Sequence, residues 1–155
     1  KYRLPEKFVL AIGGIGERKN LERIKKATQD YELVITGKTI PWINNDELVC
    51  LYYSASILVY PSLYEGFGLP IVDAFSCGLP VITSNLSSMI EIAGESAVLV
   101  DPYNVSQMQN KVQELMEDQE FRKVMIEKGF KRAKFFSWKK CAEETAEIYR
   151  ELAIR

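Results

Sequence analysis

The chain has 155 residues, which suits a single domain with one hydrophobic core. Its formal net charge of -1 gives no electrostatic basis for binding nucleic acid or an anionic membrane. It contains no histidine, which excludes a Ser–His–Asp or Cys–His catalytic centre within the chain.

Three cysteines, Cys50, Cys77 and Cys141, stand in apolar stretches without the CxxC spacing of a metal site. An odd number without pair spacing favours reduced thiols in the core of a cytoplasmic protein. We therefore expect no metal site.

Short apolar runs alternate with helical patterns through the first two thirds of the chain. The predicted strands are 8–12, 31–36, 57–60, 81–83 and 97–100. Helices are predicted after a cap at Asn20, after a cap at Asp46, and over 70–77 and 87–93. This alternation predicts an α/β fold with right-handed crossovers and a parallel sheet covered by helices on both faces.

The pattern becomes entirely helical after the last strand. Asn104 and Gln107 have the spacing of a capping box, and further helices are predicted at 119–134 and 138–153. The sequence thus predicts one domain over residues 1–155 that ends in a helical tail.

Three loops follow predicted strands, at 13–19, 37–45 and 61–69. Ligands of open parallel sheets bind beyond the carboxyl ends of the strands, so these loops should converge on one cleft. The segment 38–45 is short and leaves little room for another strand.

The first loop, GGIGERKN, lets the backbone approach a ligand closely, but Lys19 stands where a dinucleotide fingerprint has its third glycine. Arg18 and Lys19 precede a helix, where cations oppose the helix dipole. Either an anion binds at this helix N-terminus or the two residues are a solvated charge pair, and the sequence favours neither.

The third loop places Glu65 before Gly66, Phe67 and Gly68, with a helix starting at Leu69. Free amides of a first helical turn can bind phosphate or sugar hydroxyls, and a carboxylate at the cleft mouth can accept hydrogen bonds from hydroxyls. Asp73, one turn into the helix, should lie on the side of the loop. Alternatively, Glu65 is solvated and Asp73 is a surface residue favoured by the helix dipole.

The stretch PSLYEGFGLPIVDAFSCGLPVITS, residues 61–84, resembles the donor-site signature of retaining GT-B glycosyltransferases of family 4, the group 1 glycosyl transferases. LPEKFVLAIGGIGERKNLERI, SSMIEIAGESAVLVDP and FFSWKKCAEETAEIY are also similar to that family, in the right order. The resemblance implies a Rossmann-like, nucleotide-sugar-binding domain over 1–155. It would be the C-terminal half of a GT-B fold whose N-terminal acceptor domain is absent.

The resemblance also implies roles for individual residues. Glu65 would hold donor sugar hydroxyls, and the backbone of 66–69 (Gly66, Phe67, Gly68 and Leu69) would hold sugar and phosphates. Lys19 would bind the pyrophosphate, which makes Glu65 and Lys19 the catalytic pair.

Three features depart from the family pattern. Asp73 stands where the family has a ribose-binding glutamate, Gly14 stands where many members have an arginine that Arg18 would replace, and the segment 38–45 is short. These departures keep open an alternative, a non-catalytic interaction or regulatory module. A redox Rossmann domain is disfavoured because the glycine fingerprint is broken.

The implied enzyme is a hexosyltransferase of polysaccharide biosynthesis. It would transfer a hexose, with mannose as the candidate, from a UDP- or GDP-sugar to a glycan or lipid-linked acceptor, without a metal or other cofactor. The full enzyme would be cytoplasmic or peripheral at the inner membrane, with membrane contact through parts other than this domain. The isolated fragment is expected to be inactive.

Overall fold

Five short parallel strands form the central sheet in the computed structural model, which describes residues 1–14 and 16–153. The strands are β1 Val9–Ala11, β2 Leu33–Ile35, β3 Ile57–Tyr60, β4 Val81–Ser84 and β5 Val98–Val100. Their order is β2-β1-β3-β4-β5, and every neighbouring pair is parallel. The predicted α/β fold is confirmed, with each strand at its predicted place.

Besides a short 3-10 helix at Glu17–Lys19, seven α-helices accompany the sheet among the described residues. They are α1 Leu21–Ala27, α2 Asn45–Ser54, α3 Leu69–Ser76, α4 Ser88–Ala93, α5 Val105–Glu117, α6 Gln119–Ala133 and α7 Trp138–Ala153. Residues alternate across each strand, so Phe8 and Leu10 pack with α2, α3 and α4, whereas Val9 and Ala11 pack with α1 and α5. The sheet is therefore covered on both faces, as predicted.

The helical tail is attached to the sheet domain through α5, which buries Met108, Val112 and Leu115, and through α6, which packs against α3. A Cβ on Gly129 would stand 2.9 Å from the Phe75 ring, so α6 needs a glycine there to approach α3 this closely. In contrast, α7 has no buried residue within its described part. Among the described residues, no helix combines the length and apolar character needed to cross a bilayer.

Two helix caps differ from the prediction. Asn20 does precede α1, but its backbone is left-handed (φ 59°) and its side chain makes no cap. Asn44, not Asp46, caps α2, because it has the extended backbone that an N-cap needs and forms a capping box with Glu47. The Asn104 side chain caps α5 by accepting from the Gln107 amide, as predicted, although the Gln107 side chain binds Asp101 instead.

The cysteines were wrongly predicted to be core thiols. Cys50 and Cys141 are exposed and Cys77 is partly exposed. Cys50 and Cys141 are carried by α2 and α7, and Cys77 ends α3. Apolar neighbours in sequence do not place a residue on the buried side of a helix, because only one stripe faces the core.

The short segment 38–45 holds no regular strand. Thr36 pairs with Ile40 in an isolated bridge, and α2 begins at Asn45. Trp42 rests against Gly37, where a Cβ would stand 2.5 Å from the indole ring. The connection between β2 and α2 is thus as short as the sequence indicates.

Candidate functional site

The loops that follow β1 and β3 are fastened to each other at the carboxyl edge of the sheet. The Leu63 amide donates to the Arg18 carbonyl at 2.8 Å. The buried Asn20 amide group donates to the carbonyls of Pro61 at 3.1 Å and Pro102 at 2.7 Å. These bonds explain why Asn20 does not cap α1, since its side chain is used to join three loops.

Ile15, in the predicted first loop, lies outside the described residues.

Lys19 is a nearly buried cation, with 8% of its surface exposed. Its Nζ donates to Glu65 Oε1 at 2.7 Å and to the Tyr60 hydroxyl at 2.6 Å. The same Nζ lies 4.5 Å from the centre of the Tyr60 ring. A buried ammonium is tolerated only when it is paired and hydrogen-bonded, and both conditions hold here.

Glu65 bridges the two cations of the first loop. Its Oε2 accepts from Arg18 Nη1 at 2.8 Å, while Oε1 accepts from Lys19. Burial alone would raise the pKa of Glu65, but the hydrogen bond from Lys19 and the nearby hydroxyls of Tyr60 and Ser62 outweigh it and lower the pKa below its ordinary value. The carboxylate is therefore ionised at neutral pH. The predicted solvated alternative for Glu65 does not match this geometry.

The backbone of Glu65 is also held in place. Its carbonyl accepts hydrogen bonds from the hydroxyls of Ser87 at 3.1 Å and Ser88 at 2.9 Å. These serines lie in the turn that enters α4, beyond the end of β4. The loop after β3 is therefore supported from both neighbouring strands, which is typical of a preorganised site.

Sequence reasoning missed two residues of this cluster, Tyr60 and Ser62. Tyr60 closes β3 and is 3% exposed, and its hydroxyl contacts Lys19. The Ser62 hydroxyl is fully buried and has no hydrogen-bond partner among the described residues. The usable signal was position, because the residues that end and follow a parallel strand face the ligand edge of the sheet.

The segment between Glu65 and α3 leaves its backbone accessible. Gly68 has φ 106°, a conformation that suits glycine, and immediately precedes α3. A Cβ on Gly66 would meet nothing within 4 Å, so this face is open. Phe67 is exposed, and its ring makes an edge-to-face contact with Phe136, with ring centres 5.8 Å apart. The exposed Leu69 occupies the first position of α3, where an amide has no partner within its helix.

Asp73 lies apart from the Lys19–Glu65 cluster. It lines a cavity of about 580 Å³ between α3 and the start of α7, together with Phe67, Leu69 and Trp138. Burial raises the pKa of its partly exposed carboxyl. Asp73 therefore lies beside Phe67 and Leu69, and within the described chain it forms no hydrogen bond or ion pair with Lys19 or Glu65.

Gly14 makes room for Lys19. A Cβ at this position would stand 3.1 Å from both Cγ and Cε of Lys19, so a larger residue would displace the lysine. The second cation at Glu65 comes instead from Arg18, whose side chain is half exposed. Arg18 thus contacts the same carboxylate as Lys19.

Comparison with known proteins gives the family. The sequence model described as "Glycosyl transferases group 1" matches residues 1–132. The chain belongs to this family. This group 1 chain is 31% identical to O-antigen chain mannosyltransferase B of Escherichia coli, and the match covers 98% of this chain and 48% of that protein.

Further comparisons extend this relationship. The chain is 32% identical to MMP alpha-(1->4)-mannosyltransferase of Mycolicibacterium hassiacum over 73% of its own length and 28% of that protein. It spans about half the length of some curated relatives and less of others. Within this family, the chain is therefore homologous to part of the length of named enzymes.

Solved structures confirm the Rossmann-like, GT-B-type fold. A sucrose-phosphate synthase from Thermosynechococcus elongatus matches with a TM-score of 0.82 at 24% identity, covering 97% of this chain and 47% of that one. The C-terminal domain of a group 1 glycosyl transferase from Francisella tularensis matches with a TM-score of 0.71 at 22% identity, covering 86% and 87%. At these identities the likeness concerns the fold alone.

Proposed function

We propose that this domain binds the nucleotide diphosphate-sugar donor of a retaining glycosyltransferase. The observation that carries the proposal is the cluster in which Lys19 and Arg18 both donate to Glu65. The cluster lies where the loops after β1 and β3 meet, which is the ligand-binding edge of a parallel sheet. Membership of the group 1 family supports the same assignment.

The proposed chemistry is stabilisation of a diphosphate leaving group. Lys19 and Arg18 would neutralise the charge that develops on the phosphates, assisted by backbone amides at the start of α3. A bound diphosphate would then replace Glu65 as the anion beside Lys19 and Arg18. The Glu65 carboxylate would instead accept hydrogen bonds from sugar hydroxyls. Asp73 would contact the ribose. The proposed chemistry needs no metal.

The donor sugar is proposed to be a hexose, and mannose is the candidate. Several related proteins are named mannosyltransferases, which supports this choice. The donor would be a UDP- or GDP-sugar, and the acceptor a glycan or lipid-linked glycan bound by another part of the full enzyme. The chain spans about half the length of the relative from E. coli. We therefore propose sugar transfer, with retention of the anomeric configuration, for the whole protein and not for this domain alone.

A non-catalytic module is the second candidate function. Gly14, which leaves no side chain at its position, and the short connection before α2 are the observations that favour it. Such a module would keep the fold and the Lys19–Glu65 pair but would not support sugar transfer. Transfer by the full-length protein distinguishes the two candidates.

Calorimetry of the 155-residue chain tests the donor-binding proposal. We expect UDP or GDP, and their hexose conjugates, to bind wild type, and Lys19→Ala to weaken binding by at least about tenfold, since it removes a charge-assisted bond to phosphate. Lys25→Ala is the matched control, because Lys25 is an exposed lysine whose ion-pair partner among the described residues is Glu22, one helical turn away. A folded wild-type protein that binds no nucleotide at millimolar concentration would refute the proposal.

A further inference from the structure

Tyr60 is more deeply buried than Glu65, the other hydrogen-bond partner of Lys19 among the described residues. It is the last residue of β3, its side chain is almost completely buried, and its backbone carbonyl accepts from the Thr83 hydroxyl at 2.9 Å. Its ring belongs to the core cluster that includes Leu58 and Ile71. The phenol group therefore has a set position at the sheet edge before any ligand arrives.

Lys19 uses two different features of this side chain. Its Nζ donates to the Tyr60 hydroxyl at 2.6 Å and lies 4.5 Å from the ring centre, within the range of a cation–π contact. Because an ammonium group only donates, the phenol oxygen must accept this bond. The hydroxyl proton of Tyr60 is then free for another acceptor, and the carboxylate of Glu65 is close by.

The charge state of Tyr60 fits this arrangement. Burial raises the pKa of its hydroxyl, and the neighbouring Glu65 carboxylate raises it further. Tyr60 is therefore a neutral phenol throughout the physiological pH range. It can accept from a cation on one side and donate to an anion on the other.

The partners of Lys19 would change unequally when a ligand binds. Glu65 is carried by the loop after β3 and is the group that a diphosphate would replace as the anion beside Lys19. Tyr60 is part of the sheet and is expected to keep its position. Among the described residues, the Lys19 ammonium group donates its hydrogen bonds to these two side chains.

We propose that Tyr60 is the positioning residue of the site, which holds Lys19 aimed at the donor diphosphate after Glu65 has turned to the sugar. This inference rests on the proposed donor-binding function and adds to it a residue that contacts no substrate. Tyr60 acts through Lys19, so its effect on a ligand exists only while the lysine is present.

A purely structural role for Tyr60 makes a different prediction. Tyr60→Phe keeps the ring, and with it the core packing and the cation–π contact, and removes only the hydroxyl. A packing residue would show no specific loss of ligand affinity after this change. A positioning residue would weaken diphosphate binding and would do so only through Lys19.

A double-mutant cycle measured by calorimetry with UDP and GDP tests the inference. In the wild-type background we expect Tyr60→Phe to weaken nucleoside diphosphate binding roughly tenfold, as one hydrogen bond to a charged group is lost. In the Lys19→Ala background the same change should alter affinity by less than about twofold. Binding of the matching nucleoside monophosphate should fall less than that of the diphosphate.

Tyr52→Phe is the matched control. Tyr52 is also a buried tyrosine, but its hydroxyl has no hydrogen-bond partner among the described residues. Its removal should leave nucleotide affinity unchanged. Thermal unfolding of each variant verifies that the protein is folded.

The possible results separate the two proposals. Failure of folded wild type to bind any nucleotide overturns both the donor-binding function and the role of Tyr60. Binding by wild type with unchanged affinity in Tyr60→Phe overturns only the role of Tyr60. An equal loss with and without Lys19 also overturns it, because the effect would then not pass through the lysine.

Discussion

At the scale of single residues, the charges of the candidate site compensate one another. Lys19 and Glu65 are both largely removed from water, with 9% and 12% of their side chains exposed. Two such charges tolerate burial because they compensate each other, and loss of one partner leaves the other uncompensated. Glu65 therefore contributes to the stability of the free domain as well as to the proposed recognition of the sugar.

Glu65→Gln should expose this dependence. At pH 7 we expect the substitution to lower the free energy of unfolding by about 2 kcal/mol, because Lys19 and Arg18 lose their anion. The folded state lowers the pKa of Glu65 below its ordinary 4.5, so its stabilisation is present above that pH and is lost as the pH falls below it. Urea denaturation of both proteins at several pH values measures the difference.

The control for this prediction is Glu22→Gln. Glu22 pairs with Lys25 at 2.8 Å, but its side chain is 82% exposed, so its loss should change stability little. A stability deficit of Glu65→Gln that stays constant from neutral to strongly acidic pH would contradict the electrostatic explanation.

At the scale of elements, α7 differs from every other helix of the tail. It has no buried residue in its described part, and Trp138 at its start is 78% exposed. By contrast, α5 buries Met108, Val112 and Leu115 against the sheet. A helix that buries so little gains little stability from packing.

Truncation after Ser137 should therefore leave the sheet domain folded. Residues 1–137 keep Phe136, which packs against the core and against Phe67. We expect the thermal midpoint to change by less than about 4 °C, because the described part of the removed segment contains no buried side chain. Scanning calorimetry of the two lengths provides the measurement.

A deeper truncation serves as the contrast. A chain that ends before Gln119 also loses α6, whose Gly129 approaches Phe75 in α3 and whose Met125 is buried. It should be strongly destabilised or unfolded. Equal stability of the two truncated chains would mean that α6 contributes nothing to stability.

The sequence predicted the elements better than the contacts between them. The run 57–60 became β3 without change, because a continuous apolar run followed by a loop is a strong strand signal. The cap of α2 was misplaced by two residues, since Asn44 and Asp46 are both good capping residues and only backbone conformation decides between them. Local composition does not encode that conformation.

The site was predicted in part for a related reason. Lys19 and Glu65 were predicted from their positions in loops after strands and from a family signature. The structure places Lys19 Nζ 2.7 Å from Glu65 Oε1. Tyr60 was missed because all four residues of β3 are buried, so alternation along the strand does not reveal which of them reaches the ligand edge. The contact between Tyr60 and Lys19 joins residues 41 positions apart and depends on the fold.

At the scale of the whole molecule, the candidate site forms an open edge. Phe67 and Leu69 are both more than 40% exposed beside the Lys19–Glu65 cluster. The group 1 chain covers 48% of O-antigen chain mannosyltransferase B, so that relative has a comparable length of chain without a counterpart here. In our proposal, an acceptor-binding part of the full enzyme faces this edge, and the donor lies between the two.

A comparison of the isolated chain with the full-length protein tests this arrangement. We expect the isolated chain to bind nucleotide but to transfer no measurable hexose, whereas the full-length protein transfers hexose from a UDP- or GDP-sugar to a glycan acceptor. Lys19→Ala in the full-length protein should lower kcat/KM by at least about 100-fold, because the lysine stabilises charge that develops on the leaving group. NMR of the product's anomeric proton should show a retained configuration.

Lys25→Ala is again the control, since this exposed lysine lies outside the cluster and should leave kcat/KM unchanged. Each result of the experiment has a defined meaning. A full-length protein that binds donor but transfers nothing to any glycan acceptor would support the non-catalytic module, and an inverted product would contradict the retaining mechanism. If Lys19→Ala raises KM and leaves kcat unchanged, the lysine binds ground state and transition state equally, and leaving-group stabilisation is not its role.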